Sequence, residues 1–304
     1  MELQLMAEFE KNYTSTDTDI LIGLIISVEC LIGLIMISCV IIGILQIPVM
    51  RSSFGYLMLN QNITQLIPCT SGFLFYSIGL VLESKSVISN SNIIGSFSMS
   101  FMPIIVCSFT LMSFNRLYAV LFPFKYKLIF GKKFSYILIS TSWIGILIIT
   151  LYVFLIRDCR CRFYFYGWRY GSDLTIQSCG NLIAVYTLTT HFIFSITTLV
   201  FDITTISILS CCRNPFIKSH STVHRQRELN FAWQVIIQGL VFITQGIWYH
   251  YGHKILPGDF SPRIKMFITT ALSTNFMHIF DPYVIITLSL LISTYQIDSI
   301  PVQS

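Results

Sequence analysis

The chain has 304 residues, of which 54% are hydrophobic and only 11% are charged, and its formal net charge is +5. Soluble domains are about 25% charged, so a soluble fold could not hide this much apolar surface, and the lipid bilayer must be the solvent for most of it. The lysines and arginines lie in loops, which argues against a nucleic-acid partner. The nine cysteines lack metal-finger spacing, and we expect neither a metal site nor a cofactor.

The first 19 residues are polar and acidic and lack the basic region and cleavage site of a signal peptide. The first apolar run is therefore expected to target the chain to the membrane. Asn12-Tyr13-Thr14 is a glycosylation acceptor, which is useful only outside the cell. With the N-terminus outside, ten basic residues lie on the inner side and nine on the outer, so the count of lysines and arginines barely favours this orientation. The sequon and the dense basic loop from Lys125 to Lys133 favour an extracellular tail over residues 1–19.

Seven runs are long enough to cross a hydrocarbon core about 30 Å thick, which takes about 20 apolar residues. They are predicted at Ile20–Leu45, Gly55–Leu82, Ile93–Leu121, Tyr136–Ile156, Asn181–Ser210, Leu229–Tyr251 and Ile264–Leu290. Because the connections are short, neighbouring helices should pack antiparallel. The pattern predicts an all-α membrane protein, with a seven-transmembrane helix bundle over residues 20–290 and a short cytoplasmic tail over residues 291–304.

Three acidic residues lie inside the predicted spans: Glu29, Asp202 and Asp281. A charge in the bilayer is costly, so each should face the bundle interior, with Asn60, Gln65 or His278 as possible polar partners. Asp281 is followed by Pro282, which removes a backbone donor and should kink the last helix. A kink beside a carboxyl group predicts a switch; a static proline bend is the alternative.

The third run ends in a pattern with functional meaning. Arg116 is its first charge and precedes Pro123 by seven residues, which on its own is compatible with a snorkelling arginine and a helix-ending proline. The segment resembles the end of the third helix in rhodopsin-like G-protein-coupled receptors. The positions in register are Arg116, Ala119, Val120, Pro123 and Tyr126. Asn115 and Leu117 replace the Asp and Tyr of that pattern.

Other segments narrow the resemblance. The fourth span carries Trp143, and Asp281-Pro282 resembles the Asn/Asp-Pro-x-x-Tyr motif, although Tyr283 directly follows the proline. The Asn-Arg pair followed by Phe-Pro-Phe-Lys-Tyr, the Cys-x-Phe-x-Tyr loop and Arg227-Glu228 together look like the nematode serpentine chemoreceptors of class x, the Srx family. The last helix departs from that family, which favours Asp-Gly where this chain has Asp281-Pro282.

This resemblance implies a receptor and not an enzyme: a chemosensory protein of the plasma membrane, expected in a sensory neuron, that detects a small molecule or peptide and activates a heterotrimeric G protein. Asn115, Arg116, Pro123 and Tyr126 would form the G-protein coupling site. A channel or transporter subunit is the alternative from another class, although no repeated pair of broken helices is seen. A signalling-impaired receptor is a third possibility, suggested by Asn115 and the altered last helix.

The long loop after the fourth span contains three cysteines, Cys159, Cys161 and Cys179. Most rhodopsin-like receptors tie this loop to the third helix through a cysteine, which would lie near Ser91 and is missing here. A bridge within the loop is expected in an oxidising compartment, with Cys161–Cys179 preferred and Cys159 as the competitor. The arginines and aromatics of the loop predict a ligand lid or an interfacial belt. Cys211 and Cys212 are palmitoylation candidates, or unmodified small residues.

Overall fold

The computed structural model describes residues 16–47, 52–157, 159, 161–172, 177–211 and 222–298. These residues form seven long helices, which confirms the predicted bundle. The helices are α1 (Asp17–Gln46), α2 (Ser53–Leu74, continued as a π-helix over Phe75–Val81), α3 (Ser91–Leu121), α4 (Lys132–Leu151, continued as a π-helix over Tyr152–Ile156), α5 (Gln177–Cys211), α6 (Thr222–Ile255) and α7 (Pro262–Phe267, the π-helical Ile268–Leu272, and Ser273–Asp298). Short helices over Lys85–Ser89 and Pro123–Ile129 precede α3 and α4.

The surface of the bundle is apolar, as the bilayer requires. On α1, Ile26 and Ile37 are fully buried, whereas Ile35 on the opposite face is 57% exposed. By length and composition, α1 to α5 are candidate membrane spans among the described residues. The helices α6 and α7 also bury polar side chains, as Gln238 and Thr270 illustrate. Their polar groups face the bundle, where neighbouring helices can satisfy them.

Helix α3 lies at the centre of the bundle and is fixed to its neighbours by polar contacts. Asn60 on α2 donates a hydrogen bond to the Ser108 hydroxyl on α3 over 2.8 Å and accepts one from Trp143 Nε1 on α4 over 2.9 Å. These bonds join three helices within an otherwise apolar core. The indole of Trp143 therefore points into the bundle and not towards lipid.

A β-hairpin follows α4, and the predicted all-α architecture did not include it. Strand β1 (Cys161–Tyr164) pairs antiparallel with β2 (Arg169–Ser172), and Cys161 lies opposite Ser172. We call these strands and their turn the hairpin, and the end of the bundle that carries it the hairpin end. The backbone N–H of Cys161 donates to the Ser96 hydroxyl of α3 over 3.0 Å. A side chain at Gly95 would stand 2.7 Å from the Cys161 carbonyl, so glycine is needed for this approach.

The preferred pairing Cys161–Cys179 is wrong. The structure joins Cys159 to Cys179, whose Cα atoms are 5.1 Å apart, and leaves Cys161 as a buried free thiol. The strand explains the choice: Cys161 begins β1, whose backbone is held against α3, whereas Cys159 lies just before the strand, where it can meet the first turn of α5. The bridge therefore joins the ends of α4 and α5.

We expect Cys161 to resist alkylation in the folded protein. Burial raises the pKa of its thiol to about 12, so the thiol stays protonated at neutral pH, and thiolate is the reactive form. Iodoacetamide at pH 7.5 should modify Cys161 only after denaturation, and peptide mapping without reductant should recover Cys159 linked to Cys179. A linked Cys161–Cys179 peptide would contradict this arrangement.

Candidate functional site

The hairpin is fastened to the bundle by a buried acid. Asp19, 1% exposed in the first turn of α1, accepts hydrogen bonds from Trp168 Nε1 over 2.7 Å and from Arg263 Nη2 over 2.8 Å. The Arg263 guanidinium also lies 3.8 Å from the centre of the Trp168 ring. Tyr76 on α2 donates to the Trp168 carbonyl over 2.7 Å. We call Asp19, Trp168 and Arg263 the clasp, because they connect α1, the hairpin and α7.

A cavity of about 170 Å³ lies at the hairpin end. Its walls come from α2, α3, α5, α6, α7 and β2, so the hairpin covers part of it. The side from α3 is largely apolar and includes Met99, Met102, Pro103 and Val106. A concave, mostly apolar space with a few polar groups is the usual form of a small-molecule site.

Three polar atoms at this cavity are buried without a hydrogen-bond partner among the described residues. They are Arg169 Nε on β2, the Tyr170 hydroxyl on β2 and His191 Nε2 on α5. Burial raises the pKa of Tyr170 well above its ordinary value, so its hydroxyl remains a donor. Buried polar groups are normally paired, so these three atoms are available as hydrogen-bond partners for a molecule in this space.

Below the cavity, Asp281 on α7 is the centre of a polar cluster. Its Oδ2 accepts hydrogen bonds from Gln61 Nε2 over 2.6 Å and Gln65 Nε2 over 2.7 Å, both on α2, and its Oδ1 accepts one from Gln238 Nε2 on α6 over 2.6 Å. Asp281 is 2% exposed. We call these four residues the amide hub. It fixes α2, α6 and α7 relative to one another through hydrogen bonds whose acceptor is a single carboxyl group.

A second, smaller cavity of about 10 Å³ links the two features. It shares Met102, Gln245 and His278 with the larger cavity and touches Gln65 of the amide hub. His278 also lies one turn before Asp281 on α7. A molecule in the large cavity is thus connected to the hub by directly packed side chains.

The opposite end of the bundle carries Arg116 near the end of α3. Arg116 is 8% exposed, and its guanidinium carbon lies 3.6 Å from the centre of the Phe54 ring on α2. This is a cation–π contact. Asn115 beside it accepts hydrogen bonds from the Ser53 hydroxyl over 3.4 Å and the Tyr126 hydroxyl over 3.2 Å. Two of the predicted coupling residues, Asn115 and Tyr126, are therefore in contact.

Comparison with known proteins decides the family. The family model described as "Serpentine type 7TM GPCR chemoreceptor Srx" matches residues 27–288. The chain belongs to this Srx family. It is also 39% identical over 283 residues to Serpentine receptor class X-43 of Caenorhabditis elegans, a match that covers 93% of this chain and 88% of the relative. The resemblance read from the sequence is thereby confirmed, and the protein is a multi-pass membrane receptor of the G-protein-coupled type.

The fold of this Srx receptor is also found among solved structures. The crystal structure of squid rhodopsin superposes with a TM-score of 0.64 at 11% identity, over 91% of this chain and 80% of that one. At this identity the likeness shows the rhodopsin-type fold alone. It agrees with the seven-helix arrangement described above.

The structure places the other predicted site residues of the Srx receptor as follows. Asp281 and Pro282 are buried in α7, and Pro123 opens the short helix after α3. Cys211 is the last residue of α5. Asn12 and Cys212 lie outside the described residues, and their modification stays a prediction.

For the membrane acids, Asp202 and Asp281 are buried as expected, and Glu29 is half-buried. Gln65 is a partner of Asp281, as proposed from the sequence, whereas Asn60 bonds Ser108 instead.

Some residues of the site were not predicted from the sequence. Gln61 carried a readable signal, because it lies one helical turn from Gln65 and two amides on one face of an apolar helix need a shared partner. Phe54 and Asp19 carried none, since their partners are distant in sequence, and Arg169 was predicted only as one of the arginines of the loop.

Proposed function

We propose that this receptor detects a small molecule in the cavity at the hairpin end and activates a heterotrimeric G protein at the Arg116 end. The hairpin end and the N-terminus then face outside the plasma membrane of a sensory neuron. One observation carries the proposal: a partly covered cavity and a buried arginine lie at opposite ends of one bundle, and the amide hub lies between them.

The amide hub couples ligand binding in the cavity to movement of the helices. A ligand can shift an equilibrium only through different affinities for its two states. A molecule that contacts α3, α6 and α7 in the cavity favours one relative placement of these helices. Because Asp281 binds Gln238 on α6 and two glutamines on α2, a shift of α7 must be followed by α6 or must break hub hydrogen bonds. Movement of α6 would open a cleft beside Arg116.

In this receptor Asn115 stands beside Arg116 where the common receptor pattern has an Asp. Arg116 contacts the ring of Phe54, and Asn115 accepts hydrogen bonds from two hydroxyl groups. Cation–π contacts contribute about 0.5–1 kcal/mol when exposed and about 2 kcal/mol when desolvated. Because Asn115 offers Arg116 no ion pair, we expect the resting state to be less firmly held than with an Asp at this position.

Arg116→Ala should reduce agonist-driven nucleotide exchange on a co-expressed promiscuous G protein by at least about tenfold, since charged hydrogen bonds contribute 1.5–3 kcal/mol. Asn115→Asp should lower the basal exchange rate, because a carboxylate beside Arg116 adds an ion pair to the resting state. Exchange is measured per surface receptor, with agonist taken from a screen of secreted small molecules and peptides.

Lys125→Ala is the matched control, because it removes an exposed basic residue from the same end of the bundle. It should leave both rates close to wild type. Full signalling by Arg116→Ala at normal surface density would overturn the proposed coupling. An unchanged basal rate in Asn115→Asp would overturn only the argument about the resting state.

A further inference from the structure

We propose that the cavity binds a small organic acid, whose carboxylate pairs with Arg169 and whose hydrocarbon body lies against Met99, Met102 and Val106 of α3. The inference rests on the proposed function only in taking this cavity as the ligand site. It adds the chemical class of the ligand, which the fold and the family leave open.

The charge of the cavity is the first argument. Arg169, His191, His250 and His278 line it, and no aspartate or glutamate does so among the described residues. Arg169 Nε is buried and has no hydrogen-bond partner among the residues that the structure describes. A guanidinium nitrogen that is buried without an acceptor is costly, and a planar carboxylate matches the fork of donors that arginine presents.

Two described acids at this end of the bundle, Asp19 and Asp259, do not supply this counter-charge. Asp19, at the same end of the bundle, is already paired with Arg263 and Trp168 in the clasp, and Asp259 after α6 is exposed to solvent. The clasp also provides a comparison within the molecule. There an arginine next to an aromatic ring meets a buried carboxylate, whereas the described residues that line the cavity include an arginine and no carboxylate.

The neighbours of Arg169 extend the polar subsite. The Tyr170 hydroxyl follows on the same strand, and His191 on α5 lines the space, with its Nε2 close to Gly246 of α6; the hydroxyl and Nε2 are buried and lack partners among the described residues. Tyrosine donates through its hydroxyl, and a neutral histidine nitrogen donates or accepts according to its tautomer. A carboxylate has about four lone-pair sites, so it can accept from Arg169 and from Tyr170 together.

The apolar wall and the volume define the remainder of the ligand. Met99, Met102, Pro103 and Val106 supply flexible and rigid apolar surface along α3. A cavity of about 150 Å³ is enough to bind benzene, so about 170 Å³ fits an acid on the order of ten non-hydrogen atoms. Phenylacetate has this size and shape and is a suitable probe, with neutral phenylacetamide as its near-isosteric partner.

The test compares acids with their amides on purified full-length receptor in lipid nanodiscs. A panel of straight-chain and aryl monocarboxylates, including phenylacetate, is titrated beside the matched primary amides, and binding is followed by thermal shift and calorimetry. We expect at least one acid to bind about tenfold or more tightly than its amide, as expected for a charge-assisted pair. Arg169→Gln should remove this preference, and Arg169→Lys should retain part of it.

Arg162→Gln is the matched control, since Arg162 is an exposed arginine of β1 in the same hairpin. It should keep the preference for the acid. Equal affinity for acids and amides, no binding by any acid at millimolar concentration, or an acid preference that survives Arg169→Gln would each overturn the inference. The acid–amide comparison on wild type needs no variant, so a poorly folding Arg169→Gln does not block the test.

Binding and coupling are measured separately, which distinguishes this inference from the proposed function. Acids that bind through Arg169 but never change nucleotide exchange would support the ligand class and contradict G-protein coupling. Strong activation by neutral ligands alone, with no binding of acids, would support coupling and contradict the ligand class.

Discussion

The Asp281→Leu variant should reach the cell surface as folded receptor in much smaller amounts than the wild type. The change removes the only acceptor oxygens that the structure shows for the amide groups of Gln61, Gln65 and Gln238. Each buried donor left unpaired costs about 1–3 kcal/mol, or about 3–9 kcal/mol for three. The carbonyl oxygens of these glutamines are unpartnered in the described part of the chain and can recover some of the loss, so we expect about 3–5 kcal/mol. That is a large part of a total stability of about 5–15 kcal/mol.

Asp281→Asn keeps the size of the side chain and removes its negative charge, so it shows whether hydrogen bonding without the charge maintains the amide hub. Asparagine keeps one acceptor oxygen, and Gln238 can rotate its amide to present its free carbonyl oxygen to the new N–H₂ group. This variant should fold, with a much smaller loss of thermal midpoint than the leucine variant. The measurement is surface expression together with thermal unfolding in detergent. A leucine variant within about 2 °C of wild type would show that the hub does not stabilise the bundle.

Asp19→Ala should have the second largest effect, through the clasp. The change removes the carboxylate partner of Arg263, which keeps its hydrogen bond to the Phe165 carbonyl, and it removes the acceptor of the fully buried indole N–H of Trp168. Removing one partner of a fully buried ion pair costs about 3–5 kcal/mol. Arg263 is 19% exposed, so water recovers part of this and we expect about 1–3 kcal/mol.

Asp17→Ala is a strict control for the clasp. Asp17 lies in the same first turn of α1 and carries the same charge, but it is exposed. Its removal should change the thermal midpoint little. Asp19→Asn should lie between the two, because it keeps an acceptor for Trp168 and loses the charge facing Arg263. Equal midpoints for Asp17→Ala and Asp19→Ala would rule out a stabilising clasp.

The helices of this receptor were predictable because the bilayer imposes a simple rule. Long apolar runs predict spans whatever the neighbouring helices do, and all seven runs became helices. The pattern around Arg116 was also readable, because Asn115 and Tyr126 are close in the chain and a short helix brings them together. In both cases the information is local.

The contacts that build the site are not local. Asp19 and Arg263 are 244 residues apart, and Gln61 and Asp281 are 220 apart, so their meeting depends on the rotation and height of each helix in the bundle. The sequence shows which groups need partners but leaves the pairing open. The cysteines illustrate the limit: Cys159 and Cys161 differ by two positions, and only the unpredicted strand β1 decides which one reaches Cys179.

The route of the disulfide has a kinetic consequence for whatever occupies the cavity. The bridge joins the hairpin's flanks near α4 and α5, and the described contacts of the hairpin with α1, α2, α3 and α7 are noncovalent. The hairpin can therefore lift from α3 and α7 as a closed ring without breaking a covalent bond. If the ligand leaves past the hairpin, we expect its residence time to depend on the strength of the clasp, so that Asp19→Ala shortens occupancy while the groups that line the cavity are intact.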